Sequence, residues 1–220
     1  HPSWSSYNEF IAFDTDKDGD GVPQDYTKAV EWYRKAADQG YAEAQYYLGI
    51  SYFYGEGVDQ DYAEAAKWCL KAAEQGYAPS EYVLGHMLKD GKGVQQNYTE
   101  AAKWYRKAAE QRLRHAQYSL GLMYKKGEGV PQDFFEAAKW FHRAANQKYA
   151  KAQFQLGIMY QLGLGVPQDY IKAHEWYLKA AEQGDSNAQY NIGVLYQFGD
   201  GVPKNYKEAA KWYRKAAKLR

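Results

Sequence analysis

A single cysteine, Cys69, stands among 220 residues, so no internal disulfide framework can organise the fold. Its equivalents in the pattern described below are Tyr33, Tyr105, Phe141, Tyr177 and Tyr213, and it reads as a small buried filler. An excess of one charge is missing too: 28 Lys and Arg face 27 Asp and Glu. A surface made to neutralise nucleic acid or anionic lipid needs a clear basic surplus, so neither is an expected partner. No run approaches the ~18 consecutive apolar residues of a membrane span, and His1-Pro2-Ser3-Trp4 lacks the basic-then-apolar order of a signal peptide. The chain is expected to be soluble. It opens on His1, as a processed mature protein or an excised fragment would, and its compartment is not legible. Catalytic signatures are absent as well. The five histidines (His1, His86, His115, His142, His174) do not fall at metal-ligand spacing, and neither Ser-x-x-Lys nor Gly-x-Ser-x-Gly occurs, so no enzyme is expected.

What is present is a period. Trp32, Trp68, Trp104, Trp140, Trp176 and Trp212 are spaced by 36 residues, and an Ala-Ala pair follows each. In the same register run Gly19/Gly21, Gly55/Gly57, Gly91/Gly93, Gly127/Gly129, Gly163/Gly165 and Gly199/Gly201, each second Gly preceding Val. A fixed period of this length marks a repeat array, in which each unit buries its apolar face against its neighbours.

Within a unit, Ala44, Leu48 and Tyr52 recur at i, i+4 and i+8, predicting a helix A from about Ala42 to Phe53. A Gly at its waist (Gly49, Gly85, Gly121, Gly157, Gly193) costs about 1 kcal/mol against Ala inside a helix, so its return implies close helix approach. The Gly-x-Gly-Val segment ends helix A. Helix B begins at Asp25, Asp61, Asn97, Asp133, Asp169 or Asn205, with Glu64, Glu100, Glu136 and Glu208 placed to complete a capping box. Lys or Arg at 35, 71, 107, 143, 179 and 215 lies near the end of helix B, where the dipole favours cations; a binding track is the alternative.

The string Ala-x-Ala-Gln-x-x-Leu-Gly-x-x-Tyr-x-x-Gly-x-Gly-Val-x-Gln-Asp-Tyr-x-x-Ala-x-x-Trp, legible from Ala42, closely resembles the Sel-1-like repeat, a relative of the tetratricopeptide repeat. The resemblance covers residues 19 to 220 and implies an all-α, right-handed superhelical solenoid of about six helix pairs, the first irregular, with helices A lining the inner face. It implies family roles in adaptor, host-interaction and secretion or quality-control assemblies, and transfers no catalytic residue. Departures are local: Arg112 and Lys148 replace the Gly of positions 40, 76 and 184, so the turn from Arg112 to Arg114 is expected to be looser.

A recognition site belongs where copies differ while pointing away from the core. With Leu48 and Tyr52 inward, positions 43, 46, 47, 50, 53 and 54 project from the opposite face. Candidates for contact with a protein or peptide are Tyr46, Tyr47, Tyr82, His86, His115, Tyr118, Lys125, Lys126, Lys151, Phe154 and Tyr190. The face reads as aromatic and apolar near its ends and basic in the middle, which suits a peptide with an acidic centre. For the row Tyr46, Tyr82, Tyr118, Phe154 and Tyr190, inter-repeat packing is the competing reading. Rival functions are a glycan or anionic-ligand module and a spacer that self-associates through its ends.

Residues 1–24 read as an irregular N-terminal cap and 25–220 as the array. Asp14, Asp16, Asp18, Asp20 and Asp25 occupy positions 1, 3, 5, 7 and 12 of an EF-hand-like calcium loop with Gly19 at 6. Against calcium, Gly21 takes the usual apolar position, Asp25 is shorter than Glu, and the stretch from Gly19 is also the array's own linker.

Overall fold

The computed structural model describes residues 25–217. They form eleven helices: α1 (Tyr26–Asp38), α2 (Ala42–Tyr54), α3 (Tyr62–Glu74), α4 (Ala78–Asp90), α5 (Tyr98–Glu110), α6 (Arg114–Lys126), α7 (Phe134–Asn146), α8 (Ala150–Leu162), α9 (Tyr170–Glu182), α10 (Ser186–Phe198) and α11 (Tyr206–Ala217). Even-numbered helices are the A helices and odd-numbered ones the B helices. Each packs mainly on its neighbours in sequence, and the pairs stack into a right-handed solenoid. Among the described residues there is no strand, and no helix is long and apolar enough to cross a membrane.

The B helices start where the sequence places their caps. Asp61 Oδ1 accepts from the N–H groups of Ala63 and Glu64 at 2.8 and 3.0 Å, and Asn97, Asp133, Asp169 and Asn205 do the same work. The capping box does not close. In that motif the Glu reaches back to the N-cap N–H, but here the N–H of Asp61 already donates to Tyr52 C=O at 2.9 Å, as do those of Asn97, Asp133, Asp169 and Asn205 to Leu88, Tyr124, Tyr160 and Tyr196. The freed carboxylates of Glu64, Glu100, Glu136 and Glu208 pair instead with Lys67, Lys103, Lys139 and Lys211. Such exposed pairs contribute about 0.3–0.5 kcal/mol each.

Helix A ends on a left-handed Gly, and its exposed carbonyls find side-chain donors. Gln60, Gln96, Gln132 and Gln168 donate Nε2 to the C=O of Phe53, Lys89, Lys125 and Gln161, each at 2.9 Å. This accounts for the Gln that precedes the N-cap of α3, α5, α7 and α9. The turn at Arg112 is not looser than its glycine counterparts. Arg112 adopts φ +67°, and its N–H donates to Ala109 C=O at 3.0 Å, as Gly40 does to Ala37 at 3.0 Å.

The core is a run of alanines and rings. Ala65, Ala72, Ala101, Ala108, Ala137, Ala144, Ala173 and Ala180 are completely buried. Without larger side chains there, helices come close enough for a ring from helix B to lie over the Gly of helix A. A Cβ on Gly85, Gly121, Gly157 or Gly193 would sit 2.3–2.8 Å from the ring of Tyr105, Phe141, Tyr177 or Tyr213. Trp68, Trp140 and Trp176 are buried between their own repeat and the one before. The basic residue three positions after each Trp lies over its indole ring, 3.9–4.4 Å from nitrogen or guanidinium carbon to the ring centre. That row of cations therefore serves cation–π stacking as well as the helix dipole.

Candidate partner-binding face

The A helices present the face on which copies differ. Neighbouring A helices meet directly: α8 touches α10, and Lys125 of α6 donates Nζ to Gln155 Oε1 of α8 at 2.8 Å. Side chains at equivalent positions can thus form a continuous surface.

The aromatic row belongs mostly to the packing. The rings of Tyr82, Tyr118, Phe154 and Tyr190 lie 5.3–5.8 Å from those of Tyr105, Phe141, Tyr177 and Tyr213 on the partner B helix. In the remaining copy the B-helix ring is replaced by Cys69, and Tyr46 is drawn into the same cluster as the thiol, 3% exposed. Tyr46 is therefore withdrawn from the contact set. Cys69 is the buried filler expected: it is fully covered, and burial pushes its thiol up to about 12.

His86 and His115 are corrected in the same way, being 7% and 2% exposed. His86 meets the edge of Tyr82 at 4.7 Å and Tyr105 at 5.2 Å, and His115 meets Tyr149 at 5.0 Å. The sequence assigns them to an open face because their wheel positions point outward. Neighbouring rings, which a wheel omits, cover them. Burial, then Lys89, holds His86 down to about 3; burial, then Arg114, holds His115 down to about 4. Both are neutral near pH 7.

What stays accessible is a smaller set. Tyr47 is half-buried and stacked on Tyr33, with ring centres 5.3 Å apart. Tyr82, Tyr118 and Phe154 are half-buried. Lys126 and Lys151 are exposed, Lys126 lying 3.4 Å from Glu128. Lys125 is half-buried, and burial followed by Lys126 lowers its pKa. Toward α10 the face carries Tyr190, Leu162 and Phe198, all more than half exposed. Leu162 and Phe198 belong with the site more firmly than the histidines, and their signal is in the sequence: both stand at the last position of helix A, where Tyr54, Asp90 and Lys126 also differ in kind.

The B-helix face contrasts with this. In α3, α5, α7 and α11 the half-exposed Glu64, Glu100, Glu136 and Glu208 each pair with a Lys three residues on, and in α1 and α9 Lys28 and Lys172 pair with the N-cap carboxylates, so these charges are neutralised locally.

Asp14, Asp16, Asp18 and Asp20 lie outside the described residues. Asp25 is the N-cap of α1: Oδ1 accepts from Lys28 N–H at 3.0 Å and Oδ2 lies 3.2 Å from Lys28 Nζ. The backbone bond from Lys28, then its ammonium, holds the carboxyl below its usual value. Among the described residues no cluster of three or more His, Cys, Asp or Glu could hold a metal ion.

A family model described as Sel1 repeat matches residues 17–41, 42–77, 78–113, 114–149, 150–185 and 186–220. Among solved structures, a protective antigen of uropathogenic Escherichia coli strains with an SLR fold is 45% identical, with a TM-score of 0.84 over 86% of this chain; this chain spans 40% of that one. A Sel1 repeat protein from Oxalobacter formigenes is 35% identical, with a TM-score of 0.81 over 88% of this chain and 82% of its own. No curated protein matches.

Proposed function

The chain belongs to the Sel1 repeat family, whose members are typically non-enzymatic protein–protein interaction scaffolds, and we propose that it holds a protein or peptide in a concave groove lined by the A helices. The observation that carries this reading is the change of chemistry along the A-helix face from one copy to the next. The core alanines and the helix-A glycines return in the described copies, and the ring over that glycine in all but the one with Cys69, whereas the A face changes from Tyr47 and Tyr54 through Lys125, Lys126 and Lys151 to Leu162, Tyr190 and Phe198. Fold maintenance does not require such differences.

The chemistry fits an extended segment with carboxylates at its centre and apolar or aromatic side chains toward its ends. Lys126 and Lys151 meet the acidic centre; Leu162 and Phe198 take an apolar end. Rim charges of this kind govern partner choice and association rate more than raw affinity.

Peptide display on the immobilised protein tests the reading. Selected sequences are expected to combine Asp or Glu with apolar residues. Lys126→Glu with Lys151→Glu should weaken capture of a selected peptide roughly tenfold, about 1.4 kcal/mol, at unchanged helicity. Lys103→Glu with Lys139→Glu on the B face should leave capture alone. Full capture by the groove variant, or equal loss in both, overturns the reading.

A further inference from the structure

A row of glutamines runs along the seams between repeats. The fourth residue of α2, α6, α8 and α10 is Gln45, Gln117, Gln153 and Gln189, each no more than 6% exposed. Their Nε2 groups donate into the last turn of the preceding B helix, to the C=O of Ala37, Ala109, Ala145 and Ala181, at 3.2, 3.0, 3.2 and 3.2 Å. The Oε1 atoms of Gln45, Gln117 and Gln153 in turn accept from Gln75, Gln147 and Gln183, at the end of the following B helix, at 2.7–2.8 Å. An amide suits this place because it donates toward one repeat and accepts toward the next.

The row is broken in α4, where the fourth residue is Glu81, 2% exposed. Half of the duty survives: Gln111 Nε2 donates to Glu81 Oε2 at 2.9 Å. The other half needs a donor toward Ala73, the counterpart of Ala37, and a carboxyl group donates only when it carries a proton. The seam around it is altered as well. Gln111 also donates across the seam to Gly76 C=O at 3.0 Å, whereas Gln75 and Gln183 turn to carbonyls of their own helices, Lys71 and Lys179.

We propose that the seam between α3 and α4 is a proton-dependent joint: protonated Glu81 donates to the Ala73 carbonyl as glutamine does in the other repeats, and ionised Glu81 sets two acceptors against each other and weakens the joint. The surroundings agree. Burial raises the carboxyl above its ordinary 4.5, and Glu110 of α5 adds to the rise; Lys107 of α5 and the Gln111 amide oppose it. What α3 brings to the seam is the carbonyl end of its last turn. A carboxyl with a raised folded pKa gives a stabilisation that is full below its unfolded value and is lost as pH rises through the folded one. The buried His86 and His115 have lowered values, so they destabilise in the opposite direction, as pH falls below 6.5.

Thermal unfolding of the wild-type chain, Glu81→Gln and Glu110→Gln across pH 4 to 8 tests the joint. Glu81→Gln places in α4 the residue that four sibling helices already carry, so it retains the fold, and the histidine contribution is common to all three proteins. Wild type and Glu81→Gln should melt together at the acid end and separate by roughly 2–4 °C at pH 8, with Glu81→Gln higher. Glu110→Gln, which removes one of the groups that raise the Glu81 carboxyl, should lessen the wild-type slope without abolishing it. Amide exchange in the first turn of α4, corrected for intrinsic rates, should be faster in wild type than in Glu81→Gln at pH 8 only. A separation independent of pH, a less stable Glu81→Gln at pH 8, or the same change in Glu110→Gln would each overturn the proposal.

Discussion

Two kinds of turn join the helices, and they tolerate different residues although both use a left-handed backbone. In the turn from helix A to helix B, the second glycine (57, 93, 129, 165, 201) has φ between +67° and +73°, and a Cβ there would lie 1.9–2.5 Å from backbone atoms at the start of the preceding B helix. In the turn from B to A, Gly40, Gly76 and Gly184 have φ between +80° and +91°, and a Cβ would meet nothing within 4 Å. Arg112 and Lys148 stand at the second kind of turn, at φ +67° and +58°, with the usual N–H to C=O bonds intact. No residue other than glycine occupies the first kind. Conformational strain alone is a cost of about 1–2 kcal/mol that a repeat can carry; the same strain joined to a backbone overlap is not.

The sharpest break of this contrast is Gly93→Ala, whose Cβ would lie 1.9 Å from Tyr62 O. Strain and overpacking together predict a loss of about 3–5 kcal/mol, read by denaturant unfolding, with the damage centred on the α3–α4 region. Gly76→Ala has strain without overlap and should cost about 1 kcal/mol in the same assay. Should the two losses be equal, the overlap plays no part. The smallest effect sharpens the comparison from the other side: Arg112→Gly relieves strain at an open turn and should gain roughly 0.5–1 kcal/mol, offset in part by the flexibility glycine gives the unfolded chain.

The period, the helix ends and the close approach of helices at the Gly of helix A were legible because each depends on one position repeated at a fixed interval. What escaped depends on pairs. Tyr46 looks like its four equivalents until the missing ring at Cys69 is placed against it. His86 and His115 point outward on a wheel and are covered by Tyr82, Tyr105 and Tyr149 from other helices. The capping box failed for a similar reason, since the N–H it would satisfy is taken by a carbonyl of the preceding helix. The glutamine row could have been found: Gln45, Gln117, Gln153 and Gln189 are polar residues set beside the buried Ala and Leu of the helix A stripe, with Glu81 as the departure among the described A helices. For the face itself, the sequence located the basic middle at Lys125, Lys126 and Lys151 and placed Leu162 and Phe198 at an outward position, while exposure shows how far those two remain open.

The glutamine seams also decide how the molecule would respond to load. Each seam joins the end of one helix pair to the start of the next, so tension along the axis passes through every seam in series. Pulled from its termini, such a chain should yield in separate steps, each releasing up to 36 residues and lengthening the tether by roughly 120 Å. The seam at Glu81, lacking one amide donor, is where the first rupture should fall, and acidifying the bath should move that event to higher force.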